Sequence, residues 1–179
     1  MLNNLFKYPQ SREVNMSSKV VIEQPIRRTV KLSASIEQAF DFFTKEFSRW
    51  WPKDYTWSKD CLEQIVIEPK INGRCFEIGP YNFICQWGRV LAWDPPYQLK
   101  FTWQINPSSA PDPNPKTASE VAVNFLAENE ASTLMTLEHA YIERHGEGAE
   151  QFYEAMNSEY GWEKILSCYI QKLKESIHG

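Results

Sequence analysis

The residues best able to do chemistry in this chain are few, and His139 is the most informative of them. In the run Thr133–Tyr141 it falls in step with Met135 and Leu137, so a strand there turns it toward the inner face of a sheet. An imidazole at such a position serves a cavity as acid, base or hydrogen-bonding contact to a ligand. A histidine bonded to a covering helix or a neighbouring strand produces the same pattern and is the commoner outcome. His145 lies in the polar stretch Glu143-Arg144-His145-Gly146-Glu147-Gly148 and is expected at the solvent surface. Neither histidine stands at helical ligand spacing from Glu138 or Glu143, and Cys61, Cys75, Cys85 and Cys168 form no C-x-x-C pair. A metal site, a cofactor and dithiol redox chemistry are therefore not expected. The nucleophile elbow, the P-loop and the dinucleotide glycine pattern are absent from the sequence. Gly88, in Trp87-Gly88-Arg89, reads as a bulge in a curving strand.

The aromatic side chains are the other candidates. They make up 14% of the 179 residues and include seven tryptophans, which must fill a core, line a cavity, or do both. Trp50, Trp51, Trp87, Trp103 and Trp162 come from different segments yet can converge between a sheet and a helix. With Phe76, His139 and Tyr169 added, the candidate ligand-binding set is Trp51, Phe76, Trp87, Trp103, His139, Trp162 and Tyr169, with no catalytic or metal-ligating residue assigned.

The segments that must position these groups follow from periodicity. Residues 1–18 carry no pattern and are expected to be a disordered tail, with Met16 a candidate start alongside Met1; residues 19–179 are expected to form one domain. Val20, Ile22, Ile26, Val30 and Leu32 suggest a long half-buried strand. Ser35-Ile36-Glu37-Gln38 has the form of a capping box, and Ile36, Ala39, Phe40, Phe43 and Phe47 make one helical stripe. A break is expected near Thr44 and a stop at Pro52. Strands are expected over Ile65–Glu68, Arg74–Ile78, Phe83–Trp93, Tyr97–Ile105, Val121–Phe125 and Thr133–Tyr141, with Asn72-Gly73 turning the first hairpin. Asn106–Thr117, with its four prolines, reads as an exposed loop. From Phe152 through Met156, Trp162, Ile165, Leu166, Tyr169 and Leu173 to Ile177 runs one long helical stripe, bent at Gly161.

Charge and hydropathy narrow the function classes. The chain has 19 Lys+Arg against 23 Asp+Glu, a net charge of −4, and no basic cluster, which argues against a nucleic-acid surface. No stretch approaches the roughly 18 apolar residues of a membrane span. The polar N-terminus lacks a secretory h-region, so a cytoplasmic setting with reduced thiols is expected.

In this order the segments resemble the helix-grip fold of the SRPBCC, START and birch-pollen-allergen superfamily. Within it the chain is similar to the activator-of-heat-shock-protein-90-ATPase-like family. The residues that carry this are Ala34 to Phe40 with Trp50-Trp51, Pro69-Lys70-Ile71-Asn72-Gly73-Arg74-Cys75-Phe76, Gly88 to Trp103, Thr133 to His139 and Gly161-Trp162. The resemblance covers about residues 20–177. It implies an α+β fold, a seven-stranded antiparallel sheet curved around a long C-terminal helix, with two short helices after the first strand. It also implies a hydrophobic ligand cavity, and it brings no shared catalytic motif. The co-chaperone that gives the family its name works with an additional domain, which residues 1–18 are too short to supply.

Three functions are expected to compete. The leading one is a binding module for an apolar or amphipathic small molecule. The second is a cyclase-like enzyme that uses His139 in the same cavity. The third is an interaction module for a chaperone, a regulatory partner or a second copy of the chain.

Overall fold

The structure, a computed structural model, describes residue 22 and residues 24–179. The expected tail and Val20 lie outside the described residues. Strand β1 runs Ile26–Leu32, followed by helices α1 (Ile36–Lys45) and α2 (Phe47–Trp50). Strands β2 (Gln64–Ile67), β3 (Arg74–Gly79), β4 (Phe83–Asp94), β5 (Gln98–Trp103), β6 (Ser119–Asn129) and β7 (Ser132–Ala140) come next, and helices α3 (Ala149–Asn157) and α4 (Lys164–His178) close the chain. The strands form one seven-stranded sheet in the order β1-β7-β6-β5-β4-β3-β2. Every neighbouring pair is antiparallel, with β1 joining β7 through pairs such as Ile26 with His139.

The capping box forms as expected. Ser35 Oγ accepts from the Gln38 amide at 3.2 Å while Gln38 Oε1 accepts from the Ser35 amide at 3.0 Å. The helical break falls at Glu46, two residues past Thr44, whose hydroxyl donates to the Phe40 carbonyl at 2.8 Å. Pro25 has no amide proton to donate and directly precedes β1, which begins at Ile26. Asn72 takes a left-handed conformation (φ 63°) in the turn before β3. Inward-facing Leu99, Phe101 and Trp103 on β5, and Met135, Leu137 and His139 on β7, are all buried. Alternation fails at Tyr141, which enters a left-handed conformation after β7 and stays 46% exposed.

The long closing stripe is two helices rather than one. Gly161 adopts φ −89° and ψ −127° between them, and a Cβ there would lie 2.1 Å from the Met156 carbonyl oxygen. Only glycine lets the chain pass so close to the end of α3. At Gly88 the constraint is a neighbour strand: a Cβ would lie 2.3 Å from the Thr102 carbonyl oxygen, and the β3–β4 register shifts alongside, between Cys75 and Phe76.

The stripe itself packs as its spacing requires. Trp162, Ile165, Leu166, Tyr169 and Leu173 join the same buried cluster as the inner faces of β4 to β7. Tyr169 stacks edge-on against Phe43 and Trp50, and its hydroxyl donates to the Ala39 carbonyl at 2.8 Å, so α4 grips α1 directly. Among the described residues no helix is long and apolar enough to cross a membrane.

Leu166 is 2% exposed. Leu166→Ala should therefore lower the unfolding free energy by about 2–5 kcal/mol, through lost transfer energy and the cavity left behind. Urea melts of the two proteins measure this, and an unchanged midpoint would place the stripe at the surface.

Candidate functional site

Near the end of the sheet where β3, β4 and β5 adjoin the segment after α2, aromatic rings surround a narrow pocket. Phe47 and Trp51 come from α2 and its C-terminal end, Tyr55 and Trp57 from the turns that follow, Trp87 from β4 and Trp103 from β5. Ile65 and Ile105 complete the apolar wall. The enclosed volume is about 20 Å³, room for a single water molecule. Trp103 is the hub: its ring centroid lies 6.2 Å from those of both Trp51 and Trp87, and 5.7 Å from that of Trp162.

Two polar groups stand out in this apolar setting. Trp103 is 2% exposed, and its indole N–H is buried without an acceptor. A buried donor left without a partner costs about 1–3 kcal/mol. The other is Glu77, also 2% exposed, which shares a strand face with Cys75 by alternation along β3. Its Oε1 accepts from the Ser58 amide at 2.6 Å and its Oε2 from the Trp57 amide at 3.0 Å.

Those bonds belong to a set of tethers that hold residues 55–58 over the pocket. The Tyr55 hydroxyl donates to the Tyr160 carbonyl at 2.8 Å, at the turn between α3 and α4. Trp57 Nε1 donates to the Ser109 carbonyl at 3.2 Å, in the β5–β6 loop. Ser109 is buried, although the loop around it is largely exposed as its prolines suggested.

His139 sits behind this wall rather than in it. It is fully buried; Trp162 Nε1 donates to its Nδ1 at 3.1 Å, and Ser119 Oγ lies 2.7 Å from its Nε2. Ser119 Oγ is also 2.8 Å from His145 Nε2. Donor logic orders this chain. Indole N–H can only donate, so the neutral His139 ring carries its proton on Nε2 and gives it to Ser119; Ser119 O–H then donates to His145 Nε2, which leaves the His145 proton on Nδ1. Both His139 nitrogens are thus engaged, and the ring has none free for a ligand. Ser119 has no exposure at all, so its two imidazole neighbours do not make it an accessible nucleophile. Burial holds His139 down to about 3 and His145 down to about 4, with mutual repulsion adding to the first and Asp112 opposing the second.

Of the seven candidate residues, the structure brings Trp51, Trp87 and Trp103 to the pocket. Trp162 touches Trp51 and Trp103 from behind but serves His139 with its polar edge. Tyr169 is spent on Ala39 in the α1–α4 contact. Phe76 lies on β3 between the inward Cys75 and Glu77, under the Arg74 guanidinium at 4.8 Å. His145 is not simply solvated: its ring packs edge-on against Phe152 at 5.1 Å as well as bonding Ser119. Glu77, Tyr55 and Trp57 were not singled out by the sequence reading. Alternation along β3 was the available signal for Glu77, whereas the irregular turns that carry Tyr55 and Trp57 gave none. Among the described residues no group of His, Cys, Asp and Glu could hold a metal ion.

A sequence profile described as activator of Hsp90 ATPase homolog 1-like protein matches residues 33–174. The chain belongs to this family. Among solved structures it is similar to the anthrahydroquino-gamma-pyrone synthase Txn09 complexed with SUM, at 30% identity and a TM-score of 0.61, over 83% of this chain and 96% of that one. The self-sacrificing resistance protein CalC from Micromonospora echinospora is similar at 23% identity and a TM-score of 0.59, over 86% and 96% of the two chains. The protein NE0264 from Nitrosomonas europaea shares the fold at 14% identity and a TM-score of 0.60, over 89% and 99%. No curated protein matches the chain.

The buried histidines make stability depend on pH in a stated direction. Between about 6.5, their ordinary value, and their folded values near 3 and 4, the unfolded chain takes up protons that the folded chain refuses. Stability is therefore complete above pH 6.5 and falls as pH drops, with a slope approaching about 1.4 kcal/mol per pH unit for each histidine. His139→Gln, which can accept from Trp162 and donate to Ser119 without titrating, should flatten that slope between pH 6.5 and 5 in urea melts. An unchanged slope would contradict the assignment.

Proposed function

We propose that this protein binds a small, mainly apolar ligand reversibly in the aromatic pocket beside Trp103. The observation that carries the reading is the buried indole N–H of Trp103, unpartnered in a pocket walled by rings. A ligand that places a carbonyl, ether or hydroxyl oxygen there gains a hydrogen bond while its apolar body replaces water against Trp51 and Trp87. At about 20 Å³ the pocket has room for one water molecule as it stands. Larger ligands enter when residues 55–58 move outward, which requires release of the Trp57–Ser109 and Tyr55–Tyr160 bonds. Family membership supports a binding domain of this kind, and the single domain over residues 19–179 and the cytoplasmic location remain parts of the proposal.

A second reading, an enzyme of the cyclase type, is favoured by the 30% identity with a protein named as a synthase. With His139 fully engaged, Glu77 is the group placed to take a proton from a substrate in this pocket. Reversible binding predicts that a ligand leaves chemically unchanged, whereas the enzyme reading predicts a product of altered structure.

Titration with 1-naphthol, an apolar bicyclic probe with one hydroxyl, tests the proposal. Binding should quench tryptophan fluorescence and give a negative heat-capacity change from apolar burial. Trp103→Phe, which keeps the ring and removes the donor, should weaken it by about 1–2 kcal/mol. Failure of 1-naphthol to bind at millimolar concentration to the folded protein would contradict the proposal.

A further inference from the structure

Glu77 poses a problem that the tethering role does not solve. A buried carboxylate normally has a cationic partner, because leaving its charge uncompensated in a low-dielectric interior is costly. Here the compensation consists of two backbone amides, from Trp57 and Ser58. None of the ion pairs among the described residues involves Glu77; all of them lie at the surface or on the outer sheet face. The uncompensated field is felt next door. Cys85 lies opposite Glu77 in the β3–β4 ladder, and burial first and the Glu77 charge second push its thiol up to about 11.

The pocket that Glu77 lines is also lined by the rings of Trp51, Trp57, Trp87 and Trp103, and by Tyr55, whose own ring already has Lys164 Nζ 5.0 Å from its centroid. The faces of such rings are negative and attract a desolvated cation, most strongly when indole supplies the face. A carboxylate without a counter-ion, set into a wall of indoles, is the chemistry of an ammonium site. An anion would meet both the carboxylate and the ring faces unfavourably.

We propose that the pocket recognises a cationic head group, an amine or ammonium seated against the Glu77 carboxylate and the surrounding rings. The Trp103 N–H, a donor, then takes an oxygen of the same molecule, so the ligand class is a small amphipathic amine that also carries an acceptor oxygen. This rests on the reading that the pocket binds a ligand at all, and adds the sign of the ligand's charge. It also gives Glu77 a second role: its carboxylate holds the Trp57 and Ser58 amides, so neutralising it by a bound cation couples ligand charge to the segment that covers the pocket.

Three soluble probes of similar shape and different charge test the inference on the full chain. Calorimetric titration at about pH 7 compares 4-methoxybenzylamine, which is protonated there, with neutral 4-methoxybenzyl alcohol and anionic 4-methoxybenzoate, all of which carry the ether oxygen for the Trp103 N–H. The ammonium probe should bind about 10-fold more tightly than the alcohol, with the benzoate weakest. In Glu77→Gln the gap between the first two should close, with a thermal melt confirming that the variant is folded. If the variant does not fold, the wild-type series decides alone. The methoxybenzyl alcohol binding as tightly as the methoxybenzylamine, or a gap that persists in folded Glu77→Gln, overturns the cationic head group and leaves the pocket as a neutral-ligand site. No binding by any of the three overturns this inference and the binding reading together.

Discussion

The hydrogen bond from Trp162 to His139 is the contact on which the rest of the interior depends. Trp162 sits in the tight turn between α3 and α4, the point where the C-terminal segment could rotate freely about its own axis. Fixing its indole to the sheet at β7 sets the rotation of α4, and with it the direction of Leu166 and Tyr169. It also presents the back of the Trp162 ring to Trp51 and Trp103. The arrangement needs a histidine whose Nδ1 lone pair is free, and Ser119 ensures this by accepting from the opposite nitrogen. One forced tautomer therefore propagates from a loop histidine, through a serine and a second histidine, to the wall of the pocket.

The pocket differs in kind from that chain. In the His139 network every nitrogen but one has a partner, the exception being His145 Nδ1. In the pocket a donor is unmatched, a carboxylate is matched only by backbone amides, and four short tethers hold the covering segment in place. Well-satisfied polar groups give rigidity, whereas groups left short of partners give a site something to gain from a ligand. The two polar clusters meet at Trp103 and Trp162, so the histidine network and the tethered pocket share a common set of rings.

Much of this was legible in the sequence because it rests on periodicity. The capping box at Ser35, the alternation of Leu99, Phe101 and Trp103, and the stripe through Leu166 and Leu173 each followed from spacing alone, while the helix-grip arrangement came from the resemblance of the segment order to that fold. The burial of His139 followed from the same alternation. Its partners did not, because Ser119 and His145 belong to a strand end and an irregular turn whose approach is set by tertiary packing. The same limit applies at Gly161, where a bend was readable but its close approach to the Met156 carbonyl was not. It applies most strongly to Tyr55 and Trp57, since a covering segment built of single turns has no period to read; at Glu77 the alternation along β3 was readable, but the two amides it accepts from were not. Phe76 and Tyr169, also candidates, stand apart from the pocket lining, the first under Arg74 on β3 and the second bonded to Ala39 of α1.

The central claim is that the pocket beside Trp103, and not the His139 network behind it, is where a ligand binds. The most direct measurement follows the indole N–H resonances in a proton–nitrogen correlation spectrum as 1-naphthol is added. The Trp103 signal is assigned by its loss in Trp103→Phe, and the Trp162 signal by its change in His139→Gln. The account predicts that the Trp103 resonance moves progressively to saturation, as its free N–H gains an acceptor, while the Trp162 resonance, already bonded to His139, moves little. Movement of Trp162 or of surface indoles with Trp103 unchanged would contradict it.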